Sequence, residues 1–117
     1  MKRGDVVLVP FPFQDKIGQK VRPAVVVQAD AATARLSNTI VAMITGNVAD
    51  AGQPTTCLVD PATAEGAGSG LAGPSLIKAY NLATTVRQKR VIATLGHLSN
   101  VLKMQLNACL KAALDLP

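Results

Sequence analysis

The sequence predicts a mainly β chain with α additions, α+β in class: a small antiparallel sheet followed by one C-terminal helix. Three observations carry this. Short β-branched runs bounded by Pro, Gly and Asn turn signals recur along most of the chain. Leu102, Leu106, Cys109, Leu110 and Ala113 then fall at helical spacing behind Ser99, a residue type that caps helix N-termini. The chain has 117 residues, 49% of them apolar, which suits a single core and a single domain spanning 1–117.

Taken in order, Val6–Val9 and Ala24–Val27 are continuous apolar runs, the mark of buried strands. The connection between them is polar and carries Pro10, Pro12 and Gly18. Arg22 precedes Pro23, which biases it to extended geometry at the mouth of the second strand. Residues 29–38 are mixed and fit a short helix or an irregular connection. Thr39–Ile44 is a third strand, stopped by the turn signal Thr45-Gly46-Asn47. Thr55–Val59 is a fourth, closed by Asp60-Pro61. Residues 62–73 are rich in Gly, Ala and Ser and read as a mobile surface loop. Ser75–Val86 is one long strand or two with a bend, 87–90 a polar turn, and Val91–Leu95 a last strand before Gly96.

Twelve basic residues against seven acidic ones give a net charge of +5, which suits a polyanion or an acidic protein as partner. Cys57 and Cys109 stand in separate apolar contexts without metal-ligand spacing and read as buried free thiols of a reducing, cytoplasmic compartment. Asp5 and Pro10 interrupt any signal-peptide core, and no apolar run approaches a membrane span. There is no glycine-rich phosphate loop, no His/Cys/carboxylate metal cluster, and one histidine, His97, which reads as a turn or surface residue.

The order Gly4-Asp5-Val6-Val7, Pro10-Phe11-Pro12-Phe13 and Arg22-Pro23-Ala24-Val25-Val26-Val27 resembles the PemK/MazF family of bacterial toxin endoribonucleases. Ile44–Asn47, Leu76–Lys78 and Ile92–Ser99 extend the resemblance over most of the chain. It implies an SH3-like antiparallel β-barrel with a C-terminal helix. It also implies a toxin of a type II toxin–antitoxin system that cleaves single-stranded RNA without a metal and so arrests translation. A homodimer and a cognate acidic antitoxin are the implied protein partners, and no cofactor is implied.

A single histidine excludes a two-histidine ribonuclease mechanism. RNA supplies its own nucleophile, the 2′-hydroxyl, so the protein must stabilise charge on the phosphoryl oxygens and help move protons. A guanidinium suits that charge and is a poor base. The residue reading leaves Arg22 as either that group or a surface arginine paired with a carboxylate such as Asp15. The resemblance implies the catalytic role, because the family's essential arginine precedes this proline. Thr45 ends a strand, where its hydroxyl either serves strand propensity or donates to an oxyanion; the family places a catalytic Thr or Ser there. Gly46 follows, where family members commonly have a second hydroxyl residue.

For RNA binding, Lys16 and Lys20 offer phosphate contacts, and Gln14, Gln19 and Asn47 offer base-edge contacts. Asp15 is the acidic residue of the same loop, three residues before Gly18. Lys78 stands where the family has a basic residue near the substrate groove. Phe11 and Phe13 share a face and either stack on bases or plug the core. Two other functions compete: a gyrase-poisoning toxin of the same fold, and a non-catalytic RNA-binding barrel. The Arg-Pro pair and the end Ala113–Pro117, without the terminal signals of gyrase poisons, favour the ribonuclease.

Overall fold

The β-branched runs become six strands among the described residues, all antiparallel to their neighbours. The computed structural model describes residues 1–11 and 20–117, the side chains at 11 and 85–87 excepted. In chain order the elements are β1 (Asp5–Phe11), β2 (Lys20–Val26), α1 (Asp30–Arg35), β3 (Asn38–Thr45), β4 (Thr56–Val59), β5 (Ser75–Arg87), β6 (Ala93–His97) and α2 (Asn100–Leu114). The strand order is β4-β5-β3-β2-β1-β6. The sheet curls into a half-barrel with α2 on one face.

Both faces of the central strands are buried, which is why β1 and β2 read as continuous apolar runs rather than alternating ones. Successive side chains of a strand point to opposite faces. Val6, Val25, Ala42, Ile44 and Ile77 pack with Leu102, Leu106 and Cys109 of α2. Val7, Val9, Ala24, Val26 and Val41 fill the opposite side. Leu106 is fully buried, and burying such a side chain stabilises the fold by about 1.5–3 kcal/mol. Helix α2 starts as its sequence specifies, with the Ser99 hydroxyl accepting from the Leu102 N–H at 3.2 Å. It ends on Asp115 in the left-handed conformation, φ 54°. The 29–38 stretch does hold a helix, α1, and the Gln88 side chain reaches the Thr33 and Leu36 carbonyls near its end at 2.9 and 2.8 Å.

Three details differ from the sequence expectation. First, Arg22 and Pro23 lie inside β2, opposite Val9 and Leu8, not at its mouth. Second, the last strand runs Ala93–His97, through Gly96 rather than stopping before it, and starts later than Val91, whose N–H donates back to the Gln88 carbonyl at 3.2 Å to close the 3-10 turn. Third, residues 62–73 are mostly exposed, as expected of a surface loop, but they are tied to β6. Ser69 is fully buried, and the Gly68 carbonyl accepts from the His97 N–H at 2.9 Å. The approach to β6 is so close that a Cβ on Gly96 would lie 2.2 Å from the Gly68 oxygen, and one on Gly70 would lie 2.1 Å from the Leu95 oxygen. Of the glycines that suggested flexibility, Gly66 and Gly70 lie where a Cβ would strike backbone.

Candidate functional site

The site grows from the place where β2 and β3 stop pairing. Their ladder runs Val26↔Val41, Val25↔Ala42, Ala24↔Met43, and ends. Pro23 comes next and has no N–H to give to a ladder. Two further steps of the same register would set Arg22 opposite Thr45. Both strands continue instead with their outer partners, Arg22 against Val9 of β1 and Thr45 against Leu76 of β5. The gap between them is a cleft of about 270 Å³, lined by Arg22, Pro23, Met43, Thr45, Lys78 and Asn81 among others.

Rigid backbone therefore presents two cations and a hydroxyl to one space. Arg22 is exposed, on a strand paired along its length with β1. The Thr45 hydroxyl oxygen accepts from the Asn47 N–H at 3.2 Å. That bond occupies a lone pair and leaves the hydroxyl proton to donate. Lys78 sits in the middle strand of the β4–β5–β3 triplet, opposite Met43 on one side and Thr56 on the other. Its ammonium lies 6.0 Å from the centroid of the Tyr80 ring. Lys20 is exposed one pleat repeat before Arg22, about 6.6 Å along the strand and on the same face.

Of the residues singled out from sequence, the cleft brings together Arg22, Thr45 and Lys78. Asn47 is not on its wall. Its side-chain oxygen accepts from the Ala49 N–H at 3.0 Å and holds the turn that presents Thr45. Gln14, Asp15, Lys16 and Gln19 lie outside the described residues, as does the pairing of Arg22 with Asp15. Asn81 was not singled out, although it lines the cleft. It gets there through an irregularity of β5 that local sequence does not announce. Lys78 pairs with Met43, but the next step of β3, Ala42, pairs with Leu82.

A match of the chain over residues 2–114 to the model of PemK-like, MazF-like toxins of type II toxin–antitoxin systems settles its lineage. The chain belongs to that family. A comparison with curated protein sequences finds no match. The PemK/MazF assignment agrees with the shapes of solved structures. One similar structure is an endoribonuclease in complex with its cognate antitoxin from a mycobacterial species, 20% identical, with a TM-score of 0.77 over 100% of this chain and 97% of that one. The Mycobacterium tuberculosis toxin MazF-mt6 is 24% identical, with a TM-score of 0.76 over 97% and 98% of the two chains. A MazE–MazF structure from Deinococcus radiodurans is 17% identical, with a TM-score of 0.76 over 100% and 98%. At these identities the likeness speaks for the fold.

Four other titratable groups of this PemK/MazF chain, Asp5, His97, Cys57 and Cys109, make contacts within the fold. His97 ends β6, and its Nδ1 lies 2.7 Å from Asp5 Oδ1. An ionised carboxylate only accepts, so Nδ1 carries the proton of that bond. Burial pushes the Asp5 carboxyl up, but the Lys2 backbone N–H, His97 and the N-terminal charge outweigh it and hold the group below its usual value of 3.8. The two thiols meet at the β4–α2 contact. Cys109 donates to the Thr56 carbonyl at 3.2 Å, and burial pushes the Cys57 thiol up to about 12, far from a reactive thiolate. Both are free and buried, as the sequence suggested. Among the described residues no cluster of His, Cys, Asp or Glu is placed to hold a metal, and no helix is long and apolar enough to cross a membrane.

Proposed function

We propose that the chain, acting as one domain over residues 1–117, is a sequence-selective endoribonuclease that cleaves single-stranded RNA. The observation that carries the proposal is the cleft itself. It places a guanidinium, a hydroxyl with a free proton and an ammonium around one opening at the end of a strand ladder. The substrate's 2′-oxygen attacks the adjacent phosphorus, the bond to the 5′-oxygen breaks, and a 2′,3′-cyclic phosphate and a 5′-hydroxyl result. Arg22 binds two nonbridging oxygens through its planar fork as their charge grows. The Thr45 hydroxyl donates to the same charge. Lys78 and Lys20 hold flanking phosphates, contacts that position the strand without reading it. The loop residues Gln14, Asp15, Lys16 and Gln19, with Asn47, belong to the same proposed RNA surface. Because the RNA carries its own nucleophile, the scheme runs without a metal.

The setting follows from the family. We assign the protein to the cytoplasm as a homodimer, inhibited by an acidic antitoxin. The net charge of +5 complements such a partner and steers its approach. The test is wild type against Arg22→Ala on a long single-stranded RNA in EDTA. Discrete fragments with cyclic-phosphate ends from the wild type alone are the expected result. Intact RNA from a demonstrably folded wild type overturns the nuclease reading.

A further inference from the structure

We infer that Tyr80 is a base-stacking platform at the rim of the cleft, with Lys78 and Asn81 flanking it as phosphate and base-edge contacts. The inference rests on reading the cleft as an RNA site and adds to it a subsite for one unpaired nucleobase.

Strand β5 is irregular where it faces β3. Met43 and Ala42 are consecutive on β3, yet their partners are Lys78 and Leu82. Ala79, Tyr80 and Asn81 therefore have no opposite numbers on β3. Insertions of this kind bend a strand and re-aim its side chains. Ala79 is pinned: it is fully buried, and its N–H donates to the Thr55 carbonyl at 3.0 Å. The bulge is thus anchored on the core side, and the residues after Ala79 are turned outward. Tyr80 is 52% exposed, on a chain with a single tyrosine and no tryptophan. It is the only Phe, Tyr or Trp among the described side chains.

Its position at the rim follows from its neighbours. Lys78 and Asn81 both line the cleft, and the Lys78 ammonium lies over the Tyr80 ring at 6.0 Å. Tyr80 does not itself line the cleft; it lies between two residues that do, which sets its ring beside the cleft rather than within it. An exposed ring next to a basic groove is the arrangement by which proteins hold single strands: cations track phosphates while aromatics stack on splayed bases. Stacking tolerates any base, so Tyr80 contributes affinity and register, and Asn81 is placed to read the edge of the base so held.

The experiment uses Tyr80→Trp, which gives the chain one tryptophan and hence one reporter. It is titrated with a 2′-O-methyl RNA of about 12 nucleotides, within the span of known single-strand sites and lacking the nucleophile. A second titration uses an abasic oligonucleotide with the same number of phosphates. Saturable quenching by the base-bearing strand, absent with the abasic one, is expected. With the 2′-O-methyl strand carrying a fluorophore and binding read by its anisotropy, Tyr80→Ala should bind about 5- to 150-fold more weakly than wild type, the range for losing one stacked base, with Tyr80→Phe close to wild type. No quenching, or equal quenching by both strands, overturns the inference, as does a Tyr80→Ala affinity equal to that of wild type. Cleavage of unmodified RNA by the wild type is scored separately. Quenching without cleavage overturns the nuclease reading and supports the stacking subsite; cleavage without quenching overturns the subsite alone.

Discussion

On the proposed mechanism, Thr45 is a residue of the cleft at which catalysis and stability can be separated. Thr45→Val keeps the branched shape at the end of β3 and its pairing with Leu76, and removes only the hydroxyl. The one structural bond lost is the 3.2 Å contact from the Asn47 N–H, an exposed group that water satisfies in its place. The stability change should therefore stay within about 0.5 kcal/mol, as for surface substitutions generally. The catalytic loss is of a different size. Removing one preorganised donor to a developing oxyanion costs about 10²- to 10³-fold in rate, or about 2.7–4 kcal/mol.

The assay is single-turnover cleavage of a fluorophore–quencher RNA in EDTA with protein in excess, which reads chemistry rather than release. Urea melts of the same preparations read stability. Thr45→Ser restores the donor and should recover most of the rate. Thr45→Val cleaving within a few-fold of wild type at equal stability would refute the donor role. So would a Thr45→Ser variant as slow as Thr45→Val, since the hydroxyl would then be irrelevant.

Two predictions concern the fold. Asp5 has its folded pKa held below 3.8, so its contribution to stability is present above that value and is lost as pH falls through the folded pKa. Asp5→Asn should be less stable than wild type at neutral pH, and the gap between their urea midpoints should close on acidification; a gap that is unchanged or widens in acid counts against the Lys2 and His97 contacts as its source. Thr39 carries a fully buried hydroxyl with no hydrogen-bond partner among the described residues, and such a group costs about 1–3 kcal/mol when its bond is left unmade. Thr39→Val should raise stability by about 1 kcal/mol in the same melts, and a loss would show that the hydroxyl is satisfied in solution.

What the sequence made legible was local. The runs Val6–Val9 and Thr39–Ile44, and the Ser99 cap before α2, each carry their structure within a few residues, because burial and capping act over that range. The strand order β4-β5-β3-β2-β1-β6 depends on pairings between distant segments, and no window of sequence contains it. The packing of 62–73 onto β6 was misread for the same reason. Glycine is equally the residue of loose linkers and of tight backbone contact, and only the partner distinguishes them. Cys57 and Cys109 stood apart in sequence, yet both thiols meet at the β4–α2 contact.

The site shows a related division. Arg22, Thr45 and Lys78 were singled out one at a time, but their convergence follows from two departures from regular pairing. One is Pro23, which cannot donate where the β2–β3 ladder stops. Its effect was legible as restricted backbone, though not as the opening of a gap. The other is the β5 bulge, invisible in Ala79-Tyr80-Asn81 because it is defined by what those residues fail to face on β3. A regular ladder leaves no space between its two strands, so a cleft between β2 and β3 requires that ladder to stop. Here both breaks adjoin Met43, the last residue of β3 that pairs with both β2 and β5. Substituting Pro23 to complete the ladder would thus be predicted to close the cleft before it altered any side chain proposed to act there.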